Sequence, residues 1–196
     1  MDIFYLKKSE FIPRVENNSL LTFSDGRKFN SEEKEAEHLC GIFLTKFIAK
    51  NIFDIKNPQI EIINNKPYFT KRQMFFSISH SNDIVLVVFN SSNVGADIEY
   101  MQERDYKSIM KRYMDDVENP GKEYFYRFWT LKEAEFKLGA ETKSIFSKIF
   151  ENNYMLTCVA DDILVSNLYI RKLTFNKKNI DLTKEFQNPS NLKFQT

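Results

Sequence analysis

A predicted strand and a predicted helix that both carry acidic side chains on one face constrain this chain most. In residues 94–100, apolar and small residues alternate with polar ones, which is the period of a half-buried strand. Side chains two positions apart on a strand share a face, about 7 Å apart, so Asp97 and Glu99 are predicted to point the same way. Glu133 and Lys137 lie four residues apart, which places them one turn apart on a helix. Carboxylates and an ammonium group presented together in this way can bind a hard divalent cation and a phosphate.

Each of these patterns alone is also typical of an ordinary protein surface. An Asp-x-Glu sequence on a strand is usually two solvated carboxylates. A Glu133–Lys137 pair is commonly a surface ion pair worth about 0.3–0.5 kcal/mol. The motifs around them must therefore decide between a surface and a site.

Composition and charge exclude several classes of protein. The 196 residues are 42% hydrophobic and 28% charged, which suits one large soluble domain or two small ones. The formal net charge of +1 gives no global field that favours nucleic acid as a partner. Cys40 and Cys158 lie far apart in apolar patterns and are interpreted as buried thiols, and two histidines disfavour a zinc site. No apolar run approaches the length of a membrane span, so we expect a reduced, cytoplasmic protein without a membrane partner.

Periodicity and turn residues predict an ordered series of elements. Helices are predicted at 31–50, 105–114 and 122–138, with Gly139 suited to a helix C-terminus. Predicted strands, in chain order, are 3–6, 20–23, 60–63, 66–69, 75–79, 84–89, 94–100 and a hairpin of 154–160 with 163–175. A loosely held tail is expected after Asn176.

The chain also carries several motifs that together resemble a known family. Asn65-Lys66-Pro67 resembles a Gly-Lys-Pro motif of that family. It is followed by Phe76-Ser77-Ile78-Ser79-His80-Ser81, by Val94-Gly95-Ala96-Asp97-Ile98-Glu99 and by Phe128-Trp129-Thr130-Leu131-Lys132-Glu133-Ala134-Glu135-Phe136-Lys137. In this order and spacing they resemble the signatures of 4'-phosphopantetheinyl transferases, most closely the surfactin-synthetase-activating (Sfp-like) type. The resemblance covers residues 64–139.

The resemblance implies a fold and a reaction. The implied fold is α+β, with two similar halves related by a pseudo-twofold axis, here 1–92 and 93–196, and an active site between them in a monomer. The implied reaction transfers 4'-phosphopantetheine from coenzyme A to a serine of an apo acyl or peptidyl carrier protein and releases 3',5'-ADP. The carrier would serve fatty-acid, polyketide or nonribosomal peptide biosynthesis. The implied metal is Mg²⁺, with Mn²⁺ as an alternative.

The resemblance also assigns roles to residues. Asp97 and Glu99 would bind the metal, and Glu133 would be a third ligand or the base for the carrier serine through a metal-bound water. Lys137 would lie near the α- or β-phosphate of coenzyme A, Lys66 would contact coenzyme A, and Ser79 and His80 would contact its 3'-phosphate. Catalysis is therefore expected to depend on Asp97, Glu133 and Lys137.

Two positions depart from the family pattern. Glu118, which follows an Arg-Tyr-Met sequence, stands where relatives place a further acid near the metal, so the base is either Glu118 or Glu133. Glu37 replaces an arginine that helps to hold coenzyme A, and we expect its carboxylate to repel a phosphate. Other cations would then have to hold the nucleotide, with Arg14, Arg27 and Lys28 as candidates.

A candidate docking surface and two rival functions remain open. Basic and apolar residues after the acidic strand either dock an acidic carrier or form an ordinary amphipathic helix: Arg104, Lys107, Met110, Lys111 and Met114. The rivals are a magnesium-dependent phosphohydrolase that uses the same carboxylates with water, and a non-catalytic module that binds coenzyme A or a carrier protein.

Overall fold

The computed structural model describes residues 1–14, 27–64, 66–72, 74–113, 121–162, 168–175 and 180–186, and these residues form an α+β fold. Its helices are α1 (Lys8–Phe11), α2 (Glu32–Asn51), α3 (Tyr106–Met110) and α4 (Lys122–Leu138). Its strands are β1 (Asp2–Lys7), β2 (Ile60–Ile63), β3 (Lys66–Phe69), β4 (Phe75–Ser81), β5 (Ile84–Asn90), β6 (Val94–Tyr100), β7 (Ser144–Phe150), β8 (Tyr154–Ala160), β9 (Tyr169–Phe175) and β10 (Ile180–Phe186).

The strands form three sheets that bring β4 and β6 to neighbouring edges. The largest sheet has the order β10-β9-β1-β5-β4, the second is the β2-β3 hairpin, and the third has the order β6-β8-β7. All pairs are antiparallel except β1 with β9. Helix α2 packs on the first sheet against β1, β4 and β5, and α4 packs on the third sheet against β6 and β8. The strand with Ser79 and the strand with Asp97 thus belong to different sheets that meet at their edges.

The first sheet is buried on both faces. In β5, Ile84 and Leu86 pack into a core shared with β6 and β8, whereas Val85 and Val87 pack into the core under α2. All seven residues of β5 are buried, which explains its unbroken apolar run. The sheet therefore separates two apolar layers and fixes β4, its edge strand, against them.

Most of the predicted elements that surround the motifs are confirmed. Helix α2 begins after Ser31, whose side chain accepts a hydrogen bond from the Lys34 amide at 3.3 Å. The β2–β3 hairpin turns at Asn64, with φ at 50°. Helix α4 has the predicted bounds and ends at Gly139 in the left-handed conformation, with φ at 65°. Cys40 and Cys158 are buried free thiols, as predicted.

The C-terminal strands are paired differently from the prediction. The predicted hairpin of 154–160 with 163–175 is wrong, because β8 pairs with β6 and β7, and β9 pairs with β1 and β10. The expectation of a loose tail after Asn176 is wrong at Ile180–Phe186, which forms β10. The sequence analysis also missed β7, and the helix predicted at 105–114 spans only Tyr106–Met110 within the described residues. Partners far apart in sequence determine these pairings, and local alternation does not record them.

Several expectations about the molecule as a whole stay predictions. These are the pseudo-twofold relation of two halves, the boundary after residue 92 and the monomeric state. The strand predicted at 20–23 lies outside the described residues. Among the described helices, none combines the length and apolar character that crossing a membrane requires.

Helix α4 lies unusually close to β6 at Gly95. A Cβ atom built on Gly95 would be 2.0 Å from the Ala134 carbonyl oxygen and 2.6 Å from the Leu138 amide nitrogen. Both are backbone atoms of α4 and cannot rotate away. The missing side chain therefore sets the distance between the helix and the strand that carry the candidate site.

We expect Gly95→Ala to lower the free energy of unfolding by at least about 2 kcal/mol, because overpacking would push α4 away from β6. Urea unfolding measures this loss. Gly121→Ala is the matched control, since a Cβ atom there meets nothing within 4 Å and should cost less than about 1 kcal/mol as a helix cap. Equal losses in the two variants would contradict the close approach.

Candidate active site

Serine hydroxyls, and not a backbone ladder, connect β4 to β6. Ser77, Ser79 and Ser81 occupy alternate positions of β4 and so share one face; we call them the serine ladder. Amide N–H groups of β6 donate to their Oγ atoms from Ala96 to Ser77 at 3.0 Å, from Ile98 to Ser79 at 3.3 Å and from Tyr100 to Ser81 at 2.9 Å. The ladder fixes how the two strands are aligned.

The Asp97 carboxylate is held at this junction by a hydroxyl and an ammonium group. Ser79 donates its hydroxyl hydrogen to Asp97 Oδ1 at 2.8 Å. Lys137 Nζ donates to the same oxygen at 2.7 Å and also contacts Ser79 Oγ at 3.0 Å and the Ala96 carbonyl at 3.1 Å. Asp97 is only 5% exposed, so its charge depends on these partners.

Glu99 lies beside Asp97 on the same face of β6, as the alternation predicted. The Ser81 hydroxyl donates to Glu99 Oε2 at 2.9 Å. Burial raises the pKa of Glu99 above its usual value, and the negative charge of Asp97 raises it further. Two neighbouring carboxylates that repel each other are an arrangement that a cation stabilises.

The acidic face was tested for its fit to a divalent metal ion. Asp97 Oδ2 is buried and has no hydrogen-bond partner among the described residues, which leaves an oxygen ligand available. Asp97 and Glu99 therefore fit the one or two carboxylates with which proteins usually bind Mg²⁺. Within the described ranges, however, no three His, Cys, Asp or Glu side chains form a group that could hold a metal. Glu133 is half-buried, one turn before Lys137 on α4, and does not complete such a group.

His80 is joined to an ion pair that the sequence analysis did not predict. Its Nδ1 atom lies 3.3 Å from Glu37 Oε2, and Lys8 Nζ donates to Glu37 Oε1 at 2.5 Å. Burial lowers the pKa of His80; the positive charges of Lys137 and Lys8 lower it further, and Glu37 opposes them. The side chain of His80 is still 45% exposed. The Glu37 carboxylate, expected to repel a phosphate, thus has two cationic or proton-donating neighbours.

Lys66 lies at the C-terminus of α4. Its Nζ atom donates to the Asn93 side-chain oxygen at 2.6 Å and to the Leu138 carbonyl at 3.0 Å. Asn93 Nδ2 donates to the same carbonyl at 2.8 Å. Burial lowers the pKa of Lys66 to about 8. Lys66 therefore ties β3 to the end of the helix that carries Lys137, whereas its predicted contact with coenzyme A stays a prediction.

The other predicted residues are dispersed or lie outside the description. The side chain of Arg14 and the whole of Met114 and Glu118 are outside the described residues, and Arg27 and Lys28 are exposed. Met110 is fully buried against Phe125 and Tyr126, so its predicted docking role is wrong. Exposed basic positions remain at Arg104, Lys107 and Lys111.

Sequence reasoning missed the residues that position the site. The role of the serine ladder could have been found, because Ser77-x-Ser79-x-Ser81 places three hydroxyls on one strand face. The partnership of Lys8 with Glu37 and of Lys66 with Asn93 had no local signal, since each pair joins separate elements.

Comparisons with known proteins agree with the motifs. A protein of Haemophilus influenzae described as a candidate 4'-phosphopantetheinyl transferase is 33% identical over 38% of this chain and 37% of its own length. The 4'-phosphopantetheinyl transferase ffp of Bacillus subtilis is 23% identical over 70% of this chain and 69% of its own length. The predicted superfamily resemblance is confirmed. Both names support a transferase enzyme and do not distinguish the Sfp-like subtype. No family model matches the chain.

The chain spans little more than a third of the length of the first of these relatives. The activity, substrates and partners of the whole protein are therefore proposed below from the site itself.

The lowered pKa of Lys66 predicts a pH-dependent stability. Between pH 8 and pH 10.5, the unfolded chain keeps a proton on Lys66 that the folded chain has lost, so the free energy of unfolding rises with pH across this window. We expect the stability of the protein relative to Lys66→Gln to rise from pH 8 to pH 10.5 and to stay level below pH 8. Urea unfolding at a series of pH values measures this difference, in which other titrating groups cancel. A difference independent of pH would refute the shift.

Proposed function

We propose that this chain transfers the 4'-phosphopantetheine group from coenzyme A to a serine of an apo acyl or peptidyl carrier protein and releases 3',5'-ADP. The observation that carries the proposal is the buried Asp97 carboxylate, held by Ser79 and Lys137, with its Oδ2 atom unpartnered beside Glu99. This arrangement supplies oxygen ligands and a positive charge at one point, which a reaction on a pyrophosphate requires. The named relatives support the same chemistry.

The acidic pair is proposed as the metal site. Mg²⁺, with Mn²⁺ as an alternative, would neutralise the charge of the pyrophosphate and polarise its phosphoryl oxygens. Asp97 and Glu99 would hold it, with substrate oxygens completing its coordination. Glu133, on the face of α4 that also presents Lys137, is proposed either as a further ligand or as the base that accepts the proton of the carrier serine.

Lys137 is proposed to stabilise the phosphate charge. All three N–H groups of its ammonium have acceptors, so a phosphate oxygen would replace one of them or would be stabilised by the charge at short range. Phosphoryl transfer depends mainly on positioning and on charge stabilisation. A lysine fixed on Asp97 and on the β6 backbone provides both.

The nucleotide end is proposed to lie at His80. The ring is partly exposed at the end of β4, and its Nδ1 atom faces Glu37, which orients the ring. A 3'-phosphate near the ring would favour the protonated form and accept a charge-assisted hydrogen bond from it. Lys8 offsets the charge of Glu37, so the acid does not oppose an anion alone.

The proposed carrier-docking surface lies beyond β6. Arg104, Lys107 and Lys111 are exposed basic residues between the acidic strand and α4. Carrier proteins of this family are generally acidic, so the charges are complementary. We propose that a cytoplasmic monomer uses this surface.

An assay of the purified chain with coenzyme A, Mg²⁺ and a panel of apo carrier proteins tests the function directly. We expect a phosphopantetheine adduct on the carrier serine, detected by mass spectrometry, and one 3',5'-ADP per adduct. Phosphate release without a carrier would identify a phosphohydrolase. Binding of coenzyme A without turnover of any carrier would identify a non-catalytic module.

Asp97→Asn tests the centre of the site. The amide keeps the shape of the side chain but removes the charge that binds the metal and pairs with Lys137. We expect at least about a 100-fold lower rate of adduct formation, since the metal contributes several kcal/mol to stabilising the transition state. Circular dichroism should show a folded protein.

Glu123→Gln is the control, because this acid is exposed and pairs only with Arg127 among the contacts described. Its activity should match that of the unaltered chain. A folded Asp97→Asn variant with full activity would exclude Asp97 from catalysis.

A further inference from the structure

We propose that Ser81 is a positioning residue that fixes the Glu99 carboxylate beside Asp97, and that the serine ladder aligns both carboxylates in the same act that joins β4 to β6. The inference rests on the proposed function for the purpose of the carboxylate pair. The positioning itself rests on the geometry of the two strands.

Two rungs of the ladder repeat one arrangement. Ser79 accepts the N–H group of Ile98 and donates its own hydrogen to the carboxylate of Asp97, the residue before. Ser81 accepts the N–H group of Tyr100 and donates to the carboxylate of Glu99, again the residue before. A hydroxyl can do both at once because it is a donor and an acceptor. Each rung therefore joins the strands and directs an acid.

The third rung lacks the second half of the arrangement. Ser77 accepts the N–H group of Ala96 at 3.0 Å, and the residue before Ala96 is Gly95, which has no side chain. Ser77 thus contributes to the junction between the strands without directing a carboxylate. The chain itself supplies a matched control for Ser81.

Glu99 needs such a contact more than Asp97 does. Asp97 has both Ser79 and Lys137 as partners, and its side chain is short. Among the described contacts, Ser81 is the hydrogen-bond donor to Glu99, whose longer side chain has one more rotatable bond. The two negative charges repel each other, so a Glu99 released from Ser81 would turn away from Asp97. Ser81 therefore opposes a motion that the electrostatics favour.

The affinity for Mn²⁺ separates positioning from simple support of the fold. Loss of a residue that orients a metal ligand typically weakens metal affinity by about 10–100-fold. We expect that loss for Ser81→Ala, measured by electron paramagnetic resonance of Mn²⁺ without coenzyme A or carrier protein. Ser77→Ala should stay within about twofold of the unaltered chain. Both variants lose one hydroxyl acceptor of the junction, so their melting temperatures should fall to a similar degree.

Crystal structures of the two variants provide a second readout that requires neither metal nor activity. The proposal predicts that the Glu99 carboxylate moves away from Asp97 in Ser81→Ala and stays in place in Ser77→Ala. An unmoved Glu99 in Ser81→Ala overturns it, as does an equal loss of Mn²⁺ affinity in both variants. If the unaltered chain binds no Mn²⁺, the proposed metal chemistry fails, and the position of Glu99 still decides the role of Ser81.

Discussion

The contact on which the rest of the site depends is the bridging of β4 and β6 by serine hydroxyls. Two strands that pair through their backbones use every N–H group on a carbonyl oxygen, which can only accept. A hydroxyl in the place of that carbonyl accepts the N–H group and keeps one hydrogen to donate. At Ser79 and Ser81 that hydrogen goes to a carboxylate of the facing strand. The junction between two sheets thereby becomes a surface that aligns acids.

Helix α4 adds the positive charge, and its position is fixed at two points. Gly95 lets its backbone approach β6 more closely than any side chain would permit. At its C-terminus, the Leu138 carbonyl accepts hydrogen bonds from Lys66 and Asn93. These contacts hold Lys137, the residue before Leu138, within 2.7 Å of Asp97. Burial of that acid is costly without a cation, so the helix and the strand stabilise each other.

The sequence predicted those parts of the fold whose information is local. The unbroken apolar run of β5, the alternation of β6 and the bounds of α4 follow from periods of a few residues, and these predictions are confirmed. The pairing of β9 with β1 could not be predicted, because partners more than 160 residues apart leave no local pattern. The pairing of Asp97 with Lys137 was likewise not predicted, although both residues were. Motifs identified the chemistry of the site, and tertiary contacts determined which groups neutralise each other.

A crystal structure of the chain with coenzyme A and Mn²⁺, with anomalous diffraction to locate the metal, tests the central claim most directly. The account predicts an anomalous peak bound by carboxylate oxygens of Asp97 and Glu99, with the pyrophosphate beside Lys137 and the 3'-phosphate toward His80. A metal bound elsewhere, or a nucleotide that does not reach the junction of β4 and β6, would contradict it.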